Sequence, residues 1–190
     1  MDNFKESAGK TIDIFHKYFE WHVIKTLGGG SIKVIEGKMD KKSQEMDMKD
    51  GIDWIYTDQI GIKNFGSRIQ RDIDYRTFTI RTDRESGAKT ELEKRMEARD
   101  KGELDDHWTF HGYFDISQNK ILSYAIAKTN DILEMIDNKY FEKRYTGHKQ
   151  IGQAGFYAIT WNGMRFQNYN IKIVDGCNIN LREKRFGMFF

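Results

Sequence analysis

Asp53 stands near the start of an otherwise apolar run, Gly-Ile-Asp-Trp-Ile-Tyr over residues 51–56, and Arg68 and Gln70 close a second run, Phe-Gly-Ser-Arg-Ile-Gln over 65–70. Polar groups facing each other across such a hairpin form either a satisfied pair or half of an active site. In the second case Asp53 offers oxygen to a hard cation such as Mg²⁺, which takes one or two carboxylates plus waters and a substrate phosphate. Arg68 then places a fixed positive charge where negative charge develops. Gln70, two residues on and so on the same strand face, supplies a further oxygen. The plainer alternatives are a strand-start carboxylate bonded locally and a solvent-facing side of a sheet.

Other chemistry is sparse. There is no nucleophile elbow and no paired-histidine motif. His16 and His22 share a helix but fall on different faces, whereas His107 and His111 share one face of a strand. Two histidines with no further ligand nearby in sequence make a poor zinc site. Cys177 is the only cysteine, which excludes an internal disulfide and a cysteine-zinc cluster. It reads as a small buried or idle thiol.

The elements that must position these groups follow from spacing. Phe4, Ala8, Ile12, Phe15, Phe19 and Val23 recur every three or four residues, which predicts an amphipathic helix over 4–26. Gly28, Gly29 and Gly30 follow a helix rather than open one, so they read as its stop and not as a phosphate loop. A strand at 31–36 and a charged loop at 37–50 lead to a hairpin of strands 52–57 and 60–70, and residues 73–82 alternate as a further strand. Short connections place 73–82 beside the hairpin in one sheet, with helix 4–26 on a face of it. Thr90 and Glu93 form a capping box that opens a helix over 90–101, on which Glu91 and Arg95 pair at i,i+4 on a solvated face. Strands at 107–116 and 121–128, a helix at 130–138 and strand signals at FYAITW, YNIKIV and NINLR complete the chain. The expectation is an α+β (or α/β) domain, with a mixed, largely antiparallel central sheet flanked by helices.

An acid on the first helix (Glu20), a strand, the segment DMKDGIDWIY and a strand ending FGSRIQ together resemble the PD-(D/E)XK nuclease superfamily over about residues 10–100. The resemblance implies a restriction-endonuclease-like core that cuts nucleic acid phosphodiesters with Mg²⁺ or Mn²⁺. It makes Asp53 the metal-binding aspartate and Glu20 the helix-borne acid, and it puts Arg68 where the superfamily has lysine. Gly66 then falls where the second acid or glutamine belongs, leaving Gln70 to supply that oxygen. Glycine binds no metal, and arginine is a poor base. The alternative is therefore a non-catalytic binding protein on a nuclease-like fold, such as a phage-encoded inhibitor of a host defence protein.

Charge bears on the partner. Residues 139–190 hold nine Lys/Arg against three Asp/Glu, a local +6, and 11 of the 26 aromatics, while the whole chain carries only +2. Cations interleaved with rings suit phosphate neutralisation and base stacking, or else a β-rich subdomain with solvated charges. Arg76, Arg81, Arg84 and Lys89 around the third strand and helix 90–101, with Arg182, Lys184 and Arg185 near the end, are the expected nucleic-acid contacts, to DNA ahead of RNA. Arg84 and the following helix N-terminus suggest a phosphate seat. The 190 residues read as one domain, 1–138 as its α/β core and 139–190 as a basic, aromatic β extension. A protein partner and a homodimer remain open. With no apolar run long enough to span a bilayer and no secretory leader, the expected location is cytoplasmic. The absence of proline, against an average near 5%, fits an AT-rich source such as a phage.

Overall fold

In the computed structural model, which describes residues 11–35, 41, 43, 51–83, 87–146 and 154–176, the first helix (α1) runs over residues 11–27. It is π-helical over Phe15–Phe19 and α-helical over Glu20–Leu27. The wide turn brings Phe15, Tyr18 and Phe19 onto one buried face with Val23. The Gly28 N–H bonds Lys25 O and the Gly29 N–H bonds Ile24 O, with Gly28 at φ 101°, so the glycines close the helix in a Schellman motif. Phe4 and Ala8 lie outside the described residues.

The described strands are β1 (Ser31–Val34), β2 (Trp54–Thr57), β3 (Ile62–Arg71), β4 (Thr77–Arg81), β5 (His107–Asp115), β6 (Lys120–Lys128), β7 (Glu142–Thr146), β8 (Ala154–Thr160) and β9 (Ile171–Asp175). Among the described residues further helices are α2 (Glu91–Asp100), α3 (Thr129–Asp137) and α4 (Trp161–Phe166). β1, β2, β3, β5, β6 and β9 form one six-stranded sheet in that order, and β4, β8 and β7 form a second of three. All pairings are antiparallel except β3 with β5, so the fold is α+β with a mixed main sheet. No described helix is long and apolar enough to cross a membrane.

The hairpin β2–β3 forms as expected, but β4 is not its neighbour. Asp72 and Arg76 take positive φ (69° and 51°) and turn the chain out of the main sheet, where β4 pairs with β8 instead. The edge of β3 thus stays open for β5. A parallel pair needs a long crossover, and β4 with α2 provides it. The strands of the basic C-terminal region enter both sheets, β7 and β8 the second and β9 the main one.

α1 covers one face of the main sheet. Phe15 and Phe19 meet Phe110 edge-on at 5.6 and 5.4 Å, and Trp54 stacks on Phe65 at 3.8 Å. A Cβ on Gly112 would stand 2.8 Å from Phe19, so glycine there permits the close approach of helix to sheet. The opposite face meets the second sheet and helices α2, α3 and α4 through Phe78, Ile80, Tyr113, Leu133 and Trp161. Three layers result: α1, the main sheet, then the second sheet with its helices.

Candidate functional site

Polar side chains collect between the main sheet and α2. On β3 and β5 the residues facing this layer are Gly66, Arg68 and Gln70, registered against Thr109, His111 and Tyr113. α2 is held at its start by the reciprocal bonds of Thr90 and Glu93. The cap fixes Glu91 and Arg95 one turn apart over the sheet.

Arg68 donates through Nη1 to Thr79 Oγ1 at 2.8 Å and through Nη2 to Glu91 Oε2 at 2.9 Å. Arg95 Nη2 pairs with Glu91 Oε1 at 2.8 Å, and its Nη1 donates to Thr109 Oγ1 at 2.7 Å. Thr109 and Thr129 share a hydrogen bond of 2.8 Å, and Thr129 also meets His107 Nδ1 at 2.8 Å. The backbone N–H of Arg81 reaches Glu91 Oε2 at 3.3 Å. One carboxylate is thus shared by two guanidiniums, with a third arginine beside it.

The titrations follow from this geometry. Burial pushes the Glu91 carboxyl up, but Arg68, Arg95 and then Arg81 outweigh it and hold it below the usual carboxylate range. Burial, and then the Arg95 charge, bring His107 down to about 3. Burial, and then Arg68, do the same to His111, also to about 3. At both rings the arginine charge lowers the pKa more than Glu91 raises it. Backbone at Gly51 and Thr77 lies near these rings and favours their protons, yet neither Nε2 makes a hydrogen bond of ordinary geometry. Neutral imidazoles of this kind donate no proton at neutral pH. The cluster is suited to holding an anion rather than to acid–base work.

The expected site residues separate. Glu20 lies on α1, with Oε2 2.6 Å from His16 Nδ1. The Asp53 carboxylate accepts the backbone N–H of Ser67, and its main chain links Ile35 to Phe65 through two bonds of 2.8 Å. It caps β3 where β2 has ended, beside a recess of about 10 Å³ shared with Thr11, Ile12 and Phe15 of α1, room for about one water. Gln70 lies on the other side of the sheet, beside Arg68, with Oε1 buried and unpartnered. A cation bound by Glu20 and Gln70 together would have to sit on both faces of the sheet, so these residues do not fit the Mg²⁺ site that the resemblance implies. Among the described residues no group of three His, Cys, Asp or Glu side chains is placed to hold a metal.

Gly66 explains its own departure from the nuclease pattern. A Cβ there would lie 2.6 Å from Arg95 Nη2 and 3.0 Å from Gly51 O. The space that a second acid would need is filled by a guanidinium.

The expected nucleic-acid contacts divide as well. Arg76 is paired with Asp175 and lies 3.6 Å from Asp74. Lys89 is 2.6 Å from Glu97. Arg81 lies against Glu91, and Arg84, Arg182, Lys184 and Arg185 lie outside the described residues. The capping-box carboxylate of Glu93 already takes the Thr90 backbone N–H at the start of α2, which opposes a phosphate seat on that helix end. Sequence reasoning kept Glu91 and Arg95 on a solvated face, but Arg95 is 8% exposed. The signal was the alternating polar side of β5, His107, Thr109 and His111, which needed polar partners from another element.

No family model, curated protein or solved structure matches this chain.

Proposed function

We propose that this chain is a binding protein on a nuclease-like scaffold, one that holds nucleic acid without cutting it. The observation that carries the reading is Arg95 over Gly66, a buried cation where the nuclease pattern requires an acid. A guanidinium repels Mg²⁺ and cannot ligate it. Two further features support binding without cutting. Asp53 is used to cap the edge of β3, and Glu20 is separated by the sheet from Gln70. The order α1, three antiparallel strands, a crossover through β4 and α2, and parallel β5 supports the nuclease-like core that the resemblance implies. Nucleic acid is favoured as partner by the +6 charge and the 11 aromatics of residues 139–190.

The test pairs two assays on labelled single- and double-stranded DNA and RNA. Anisotropy titrations should give binding whose log K falls with log salt at a slope of roughly −3 to −5, as for four to six phosphate contacts. Charge reversal at Arg182, Lys184 and Arg185 should weaken binding and flatten that slope. Incubation with Mg²⁺ or Mn²⁺ should leave the strands intact. Metal-dependent cleavage that Asp53→Ala abolishes would establish the nuclease instead.

A protein partner is the second reading. An open depression of about 680 Å³ between α3, α4 and β8 favours it, with Phe166 83% and Tyr140 50% exposed at its rim. It becomes the better account if no nucleic acid binds.

A further inference from the structure

We infer that the Arg68–Glu91–Arg95 cluster is an oxyanion-binding site whose ligand is a phosphate group. The inference deepens the nucleic-acid reading and rests on it only for the source of that phosphate.

Charge count is the first argument. Glu91 pairs with Arg68 at 2.9 Å and with Arg95 at 2.8 Å, so one negative charge serves two positive ones. Arg81 lies close enough to add its own field to that carboxylate. His107 and His111, the titratable groups facing the cluster from β5, are neutral and balance nothing. A partly desolvated surplus of cations is costly when it lacks an anion. Among the described residues no second carboxylate pairs with Arg68 or Arg95, and that charge is one a bound oxyanion carries.

Access and geometry give the second argument. The Arg95 side chain is 9% exposed, but Arg68 and Glu91 are 32% and 26% exposed, so the cluster has a buried floor and an open mouth. The two side-chain bonds of Arg68 use one direction from each terminal nitrogen, toward Thr79 and Glu91. These bonds fix the plane of the guanidinium, and a planar fork held in place suits two oxygens of one phosphate. Gln70, two residues along the same strand face, adds a buried Oε1 without a partner, which a ligand hydroxyl or amino group would satisfy. Nucleotides carry such groups beside their phosphates.

Three probes test the site: inorganic phosphate, a short fluorescein-labelled oligodeoxythymidine, and chloride as control at constant ionic strength. Binding is read by calorimetry for phosphate and by anisotropy for the oligonucleotide. Phosphate should bind the wild-type chain saturably and chloride should not. Arg68→Gln should weaken phosphate and oligonucleotide by roughly tenfold or more, the usual scale of a charge-assisted contact. Glu91→Gln removes the one negative charge at nearly constant shape and should tighten both several-fold, a direction that damage to the fold does not produce. If Arg68→Gln does not fold, the Glu91→Gln result decides alone.

Oligonucleotide binding that neither variant alters overturns the site and leaves the nucleic-acid reading intact. Variant-sensitive phosphate binding without oligonucleotide binding upholds the site for free phosphate and overturns the nucleic-acid reading. Absence of binding by either probe overturns both.

Discussion

His107 and His111 make the stability of this protein depend on pH between 7 and 5. Both rings are buried, at 2% and 1% exposure, and both have pKa values near 3 against 6.5 when unfolded. Below pH 6.5 the unfolded chain therefore takes up protons that the folded chain refuses. The folded pKa values are depressed, so the slope of unfolding free energy against pH is positive and stability falls as pH falls. Each ring costs about 2 kcal/mol at pH 5 and about 0.2 kcal/mol at pH 7, so the pair removes about 4 kcal/mol over two pH units. That is a large part of the roughly 5–15 kcal/mol of a typical domain. Glu91, whose folded pKa is lowered, adds its own loss as pH falls from the ordinary carboxylate range toward that lower value. Urea denaturation at half-unit steps from pH 7.5 to 5 measures the slope. His111→Gln and His107→Gln should each remove about half of it, whatever they do to stability at pH 7. A wild-type stability flat from pH 7 to 5, or a slope untouched by both substitutions, would refute the argument.

Two further expectations concern the frame of the site. Thr90→Ala removes the one hydroxyl that both accepts the Glu93 N–H and donates to its carboxylate, and should cost about 1 kcal/mol in the same denaturation assay. Gly66→Ala drives a methyl to 2.6 Å from Nη2 of the Arg95 guanidinium, held by Glu91 at Nη2 and by Thr109 at Nη1, and should cost about 1–3 kcal/mol. Repeating it in an Arg95→Met chain should lower that cost measurably, and strictly additive effects would mean that the two positions do not meet.

What the sequence disclosed was set by local spacing. The capping box at Thr90 and Glu93, the glycine stop at 28–30 and the β2–β3 hairpin are all written within a few residues, and the structure carries each of them. The placement of β4 was not legible. Its alternating pattern says only that it is a strand, and its partner depends on β8, which begins more than 70 residues later. The site was hidden for the same reason. Glu91 and Arg95 were visible as an i,i+4 pair, but Arg68 lies 23 positions before Glu91, and only the crossover places α2 over β3. Exposure of a helix face is decided by what packs on it, and the helix sequence does not record that.

Gly66 and Arg95 also set what a cation would meet at this one position. Replacing Gly66 with an acid would not restore a cation site, because the new carboxylate would meet Arg95 Nη2 within ion-pair reach and be neutralised there. Removing Arg95 as well would leave Thr109 with Thr129 as its partner and Glu91 with Arg68 and Arg81. The fixed charge of Arg68 would still stand beside any incoming metal, on the face of the sheet away from α1 and Glu20. Several coordinated changes separate the two chemistries. The two guanidiniums that oppose a dication here are the same ones that the proposed oxyanion site would use, so both properties would have one electrostatic source.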